Sequence, residues 1–165
     1  MALSQDEMKV LELLYEDARV TPAAAAVMLG MEEEAVRAAI GKLEKEKVIV
    51  GYPALVNWDK TPIEKVKAVI EVKVTPQRDM GFDAIAARIY RFDEVTEVYL
   101  MSGAYDLMLE VQADSLRTLA NFVAQKLATI DSVLSTATHF VLKKYKVDGV
   151  ILEEERADTR LAVSP

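Results

Sequence analysis

"MLGMEEEAVRAAIGKLEKEKVI", residues 28–49, holds the end of one helix, a glycine turn and a second helix. Gly30 stops the first helix, because glycine accepts the left-handed conformation in which helices commonly end. Beyond it, Val36, Ile40 and Leu43 recur at i, i+4 and i+7 and line one face of a helix from about Glu32 to Lys47. Two helices joined by a short glycine turn make a helix-turn-helix. In such motifs the second helix enters the major groove of DNA. Here it opens with Glu32, Glu33 and Glu34. Carboxylates in a first helical turn complement the macrodipole by about 0.3–1 kcal/mol each. Facing a polyanion, the same charges repel.

Upstream, Ser4-Gln5-Asp6-Glu7 predicts a capping box. Met8, Leu11, Leu14 and Tyr15 carry that helix to about Glu16. Thr21 and Pro22 predict a second helix start, with Thr as N-cap and Pro in the first turn. Downstream, "VIVGYPALVN" (48–57) shows two short apolar runs around Gly51-Tyr52-Pro53 and predicts a small hairpin. Residues 1–56 are therefore expected to form a winged helix-turn-helix. Polar, Pro-containing residues within 57–66 form a linker.

From residue 67 the rhythm changes. Ala68, Ile70, Val72 and Val74 alternate with Val69, Glu71 and Lys73. Phe82, Ile85, Ala86, Ile89 and Phe92 repeat as a helix. "TEVYLMSGAYDLMLEVQ" (96–112) reads as two strands broken at Ser102-Gly103. Leu116, Leu119, Ala120, Val123 and Leu127 form another helix, with Asp114 as its cap, and "STATHFVLKKYKV" (135–147) closes the domain as a strand. The order βαββαβ over 67–150 is the ferredoxin-like split βαβ arrangement, so the fold class is α+β. Its helices cover one face of the sheet; the other is solvated or packs on a partner. Residues 151–165 form a C-terminal extension with Glu153, Glu154 and Glu155, read as an exposed charged loop, and a short apolar run, Leu161–Val163, expected as an edge strand.

Composition narrows the function classes. The net charge is −7, and residues 1–60 hold 7 Lys and Arg against 11 Asp and Glu, while the rest hold 13 against 16. Since phosphate contacts supply most non-specific DNA affinity, strong electrostatic DNA binding is disfavoured. There is no cysteine, hence no disulfide or thiolate metal site. No apolar run reaches the about 18 residues of a membrane span. The start, "MALSQDEMKV", lacks the pattern of a signal peptide, and a cytoplasmic location is expected. His139 is the only histidine and reads as packing or solvent-facing, so no metal centre, no nucleophile triad and no cofactor is expected. The seven methionines read as core filling.

The arrangement resembles the Lrp/AsnC (feast/famine, leucine-responsive) regulators over nearly the whole chain. "LLYEDARVTPAAAAVMLG" (13–30) looks like the family's helix–EDAR–helix entry, and "LEKEKVIVGYPALVN" (43–57) like its helix-three exit and wing. "VYLMSGAYDLMLEV" (98–111) carries the family's Gly-x-Tyr-Asp turn as Gly103, Tyr105 and Asp106, and "VLSTATHFVLKKYK" (133–146) is similar to its closing strand. The resemblance implies a one-component transcription regulator, not an enzyme. It binds double-stranded DNA through the winged helix. Its RAM-type second domain pairs sheets into homodimers, assembles dimers into octamers, and holds a small effector, usually an amino acid, near the Gly-x-Tyr-Asp turn.

On that basis the effector candidates are Gly103, Tyr105, Asp106, Thr136 and Thr138. Asp106 would accept an ammonium and the two threonines would offer hydroxyls. The family pattern places several basic residues between 37 and 42; only Arg37 and Lys42 are basic here, with Lys45 and Lys47 near the wing as further DNA candidates. The alternative is a ligand-sensing oligomer whose acidic winged helix contacts protein instead of DNA. Sirohaem decarboxylases share the two-domain plan, but the middle hairpin here, "YLMSGAYDLMLE", has no histidine.

Overall fold

The computed structural model describes residues 2–75 and 81–153. The chain divides into two compact units, Met1–Val56 and Asn57–Pro165.

The first unit holds three helices, α1 (Gln5–Glu16), α2 (Pro22–Leu29) and α3 (Glu33–Lys45). The capping box forms: the Glu7 N–H donates to Ser4 Oγ at 3.2 Å, and the Ser4 N–H donates to Glu7 Oε2 at 2.8 Å. Thr21 caps α2 through the Ala24 N–H at 3.3 Å. Gly30 ends α2 in the left-handed region at φ 65°. The core is small: Val10 and Leu14 from α1, Ala25 and Ala26 from α2, and Val36, Ala39 and Leu43 from α3. Ile40 is only half-buried at its edge.

Three expectations need correction here. The buried line of α1 runs through Val10 and Leu14, one helical face shared with Glu7; Met8 is 39% and Tyr15 88% exposed, because both lie well round the helix from that line. Met28 is exposed as well, so the methionines are not uniformly core. Helix α3 starts at Glu33, with Glu32 an N-cap whose side chain makes no capping bond, and stops at Lys45. Lys47 turns left-handed at φ 59°, and the Val48 and Ile49 N–H groups fold back on the Leu43 carbonyl at 2.9 and 3.1 Å. That is the usual hydrogen-bonded helix ending with lysine in the place glycine favours.

The hairpin expected around Gly51-Tyr52-Pro53 is absent: residues 50–57 contain no strand. Pro53 has no N–H to donate to a ladder, and the arms on either side are too short to offset that loss. Tyr52 instead donates from Oη to Glu44 Oε1 at 2.9 Å.

The second unit opens with a 3₁₀ turn (Trp58–Lys60). It continues as β1 (Val66–Val74), α4 (Phe82–Ile89), β2 (Val95–Leu100), β3 (Leu107–Ala113), α5 (Leu116–Phe122) and β4 (Val133–Phe140). The four strands form one antiparallel sheet in the order β2-β3-β1-β4. Alternation decides its two faces. Ala68, Ile70, Val72, Leu107, Leu109 and Val111 are buried with Ile85 and Ile89 of α4 and Leu119 and Phe122 of α5. Both helices therefore lie on one face, and Phe92 meets Phe122 edge-on at 5.6 Å. Aligned residues carry Val69, Glu71 and Lys73 to the opposite face, together with Tyr99, Met108, Glu110 and His139.

The cap of α5 is Ser115, not Asp114: Ser115 Oγ accepts from the Thr118 N–H at 3.1 Å. Past Phe122 the helix widens into a π turn over Val123–Leu127, closed by the Ala128 N–H on the Val123 carbonyl at 2.9 Å. Ahead of that turn α5 buries Leu119 and Phe122 and exposes Leu116 and Ala120, against the expected stripe through Leu116 and Ala120. The closing strand β4 begins earlier than Ser135 and ends at Phe140. The chain then forms a second, two-stranded sheet, β5 (Lys146–Val147) with β6 (Val150–Ile151). Its turn residues Asp148 and Gly149 both have positive φ, as a tight hairpin requires. The run Leu161–Val163, Glu154 and Glu155 lie outside the described residues.

Candidate functional site: the third helix and the β2–β3 turn

Two regions carry the candidate chemistry, one in each unit. On α3, Arg37 does not stand free. Its Nε donates to Glu33 Oε1 at 2.9 Å, and its Nη2 reaches the same oxygen. Lys42 Nζ donates to Glu7 Oε1 at 2.6 Å and so ties α3 to α1. This bond holds Glu7 below the ordinary carboxylate range, helped by the Ser4 N–H, and raises Lys42 above the ordinary lysine value. Lys45 and Lys47 are exposed and have no ion pair among the described residues. Of the four basic candidates, two are therefore compensated within the unit and two are open to solvent. Val27 and Met28 of α2 are 84% and 63% exposed.

In the second unit, residues 101–106 link β2 to β3. The loop is closed by the Met101 N–H on the Asp106 carbonyl at 2.8 Å. The Asp106 N–H donates to the Val72 carbonyl at 3.1 Å, and its Oδ2 accepts the Val74 N–H at 2.9 Å. The carboxylate is thus fixed against the end of β1. Tyr105 is half-buried, its Oη 4.0 Å from Met108 Sδ. Gly103 is exposed at φ 153°, a conformation that side chains rarely adopt.

Thr136 pairs with Val72 and Thr138 with Ile70, which places both on the helix-covered side of the edge strand β4. Thr136 and Asp106 thus flank Val72 from either side of β1. Among the described residues no hydrogen bond joins either threonine to Tyr105 or Asp106. Gly103, Tyr105 and Asp106 come together as one turn, and the threonines form a separate line one strand away. The sequence reading missed Val74 and Glu7 as partners. Glu7 was visible as a capping residue, but nothing local announces a second bond 35 positions away.

The uncovered sheet face mixes charge and apolar surface. His139 Nε2 lies 3.4 Å from Glu71 Oε1, and Lys144 Nζ 3.7 Å from Glu110 Oε2. Burial, with Lys144 nearby, lowers Lys67 below the ordinary lysine value.

The three helices at residues 7–50 match the family model described as winged helix-turn-helix DNA-binding, and residues 67–151 match the Lrp/AsnC ligand binding domain. The chain belongs to the Lrp/AsnC family. It is 50% identical over 166 residues to the HTH-type transcriptional regulator YugG of Bacillus subtilis (strain 168), covering 100% of both chains. It is 30% identical over 140 residues to the leucine-responsive regulatory protein of Rhizobium meliloti (strain 1021), covering 85% of this chain and 89% of that one. Among solved structures, AsnC of E. coli superposes with a TM-score of 0.70 at 25% identity, over 91% of this chain and 99% of that one. This Lrp/AsnC protein is a transcriptional regulator with a helix-turn-helix DNA-binding domain and a ligand-binding domain, and its family is one of regulators rather than enzymes. No helix among the described residues is long and apolar enough to cross a membrane.

Proposed function

We propose that this regulator binds double-stranded DNA through α3, Lys45 and Lys47, and senses an amino acid at the turn formed by Gly103, Tyr105 and Asp106. The observation that carries the effector reading is the Asp106 carboxylate: Oδ2 is held by the Val74 N–H, and Oδ1, which accepts no hydrogen bond among the described residues, can accept an ammonium group. Exposed loop backbone at 102–104 supplies N–H donors for the ligand's carboxylate. Thr136 and Thr138 contribute from a neighbouring line. A leucine-responsive relative supports an amino acid as the ligand class.

The uncovered sheet face supports pairing with a second copy. A two-fold dimer presents two α3 helices to one duplex, so the operator is a pseudo-palindrome with half-sites about one helical turn apart. Octamers are the higher assembly in this reading. A thermal-shift screen with the twenty amino acids tests it, because a ligand that binds only the native state raises apparent stability as RT ln(1+[L]/Kd). One amino acid, or a small related group, raises the melting temperature; a flat response to all of them removes the amino-acid reading.

The exposed Val27 and Met28 beside a charge-compensated α3 favour one second reading. In it the first unit contacts protein, since exposed apolar patches mark such contacts. Failure of the protein to bind any duplex at low salt selects it.

A further inference from the structure

Helix α3 carries Arg37 and Lys42 before its last residue, and each has a carboxylate already in place. The two pairs differ in kind. Arg37–Glu33 lies within one helix at i, i+4, with both side chains about half exposed. Lys42–Glu7 crosses between helices, and the Glu7 side chain is only 13% exposed, its second oxygen held by the Ser4 N–H.

A cation that meets a DNA phosphate releases condensed counterions, and log K then falls with log salt by about 0.9 for each phosphate neutralised. A cation already paired must first leave its carboxylate, and that carboxylate then stands beside the phosphate. The gain is cancelled wherever the carboxylate cannot move away; once Lys42 leaves, Glu7 is still held through its other oxygen by the Ser4 N–H, with its side chain only 13% exposed.

We infer that Glu7 and Glu33 set the DNA affinity of this protein by holding Lys42 and Arg37 in intramolecular pairs that phosphate must displace. Both are positioning residues, acting through the cations. The consequence is weak binding to duplexes that offer only backbone, so that base contacts decide occupancy. The inference rests on the DNA-binding reading above.

The test uses the full chain and a fluorescent duplex of arbitrary sequence, titrated by anisotropy over a series of salt concentrations. Glu33→Gln and Glu7→Gln are compared with wild type and with Glu12→Gln. Glu12 is an exposed α1 carboxylate with no ion pair among the described residues, so its substitution changes net charge without releasing a cation. Gln at position 7 keeps an acceptor for the Ser4 N–H.

Glu33→Gln and Glu7→Gln bind several-fold tighter than Glu12→Gln, and each steepens the salt slope by about 0.9 for every phosphate newly neutralised. Adding Lys42→Met to Glu7→Gln cancels its tighter binding. If both variants follow Glu12→Gln in affinity and slope while wild type binds, the inference is overturned and the DNA-binding reading stands. If no protein binds this duplex even at about 50 mM salt, the inference falls, and the DNA-binding reading falls with it when a duplex from the region upstream of its own gene is also left unbound.

Discussion

The Asp106 carboxylate accepts the Val74 N–H at 2.9 Å, so the residue that this account gives to the ligand is also the end-stop of β1. The two roles separate by substitution. Asp106→Ala leaves the N–H of Val74, a position 5% exposed, without its acceptor, at a cost of about 1–3 kcal/mol. Asp106→Asn keeps an acceptor and loses the charge. Thermal melts with and without the stabilising amino acid are expected to show a lowered melting temperature for Asp106→Ala. Asp106→Asn keeps near-native stability and loses the ligand shift. A full ligand shift in Asp106→Asn leaves the carboxylate only its structural role.

The core of the first unit has few large side chains, and Leu43 is one that is fully buried. Leu43→Ala is expected to cost about 2–5 kcal/mol, enough to unfold a unit this small. Hydrogen exchange then shows loss of protection in α1–α3 with the sheet of residues 66–140 still protected. Equal loss in both units would mean that they do not unfold separately.

Gly30 is left-handed at φ 65°, and a Cβ there would meet nothing within 4 Å. Any cost of Gly30→Ala is therefore backbone strain alone, about 1–2 kcal/mol. Gly41 sits within α3 with equally open surroundings and no positive φ, so Gly41→Ala is expected to stabilise, by about 1 kcal/mol. Denaturant midpoints that move the two variants in the same direction would contradict this.

Burial is the largest single influence on Glu94 and pushes it up, but the hydrogen bond from Lys126 Nζ at 2.6 Å, the residue's own backbone N–H and the Lys126 charge together outweigh it, and the carboxyl lies below its ordinary 4.5. A depressed carboxylate contributes stability that is present above the unfolded value and is lost as pH falls through the folded one. Lys126→Met is therefore expected to lower the melting temperature at neutral pH. The difference from wild type shrinks below pH 4.5, as Glu94 protonates in both proteins. A difference independent of pH would assign the effect to Lys126 packing over Phe92, 5.8 Å from its ring centroid.

Local signals carried most of the fold. Ser4 with Glu7, Thr21 with Pro22, and Gly30 each satisfy helix ends through neighbours in sequence, so all were legible. The strands β1 and β3 were legible because each buries alternate residues under helices. Pro53, with no N–H to give a ladder, counts against a hairpin wing, and residues 50–57 hold no strand. Asp148-Gly149 is a strong two-residue turn signal, but its arms have only two residues each, too short to show a strand pattern in the sequence. In α5 the buried line runs through Leu119 and Phe122 rather than Leu116 and Ala120, and which of these neighbouring faces is covered depends on the sheet the helix packs against. At the candidate sites, residue types were legible and their partners were not. Glu7 meets Lys42 and Asp106 meets Val74 only through the fold, and those bonds decide which charges are available.

The central claim is that one chain couples DNA binding to an amino acid. The direct measurement is an anisotropy titration of a duplex from the region upstream of its own gene, at about 50 mM salt, with and without the amino acid found by thermal shift. The account predicts saturable binding whose affinity the amino acid changes, and loss of that change, with DNA binding retained, in Asp106→Asn. Absence of binding at this salt, or binding that no amino acid alters, contradicts it.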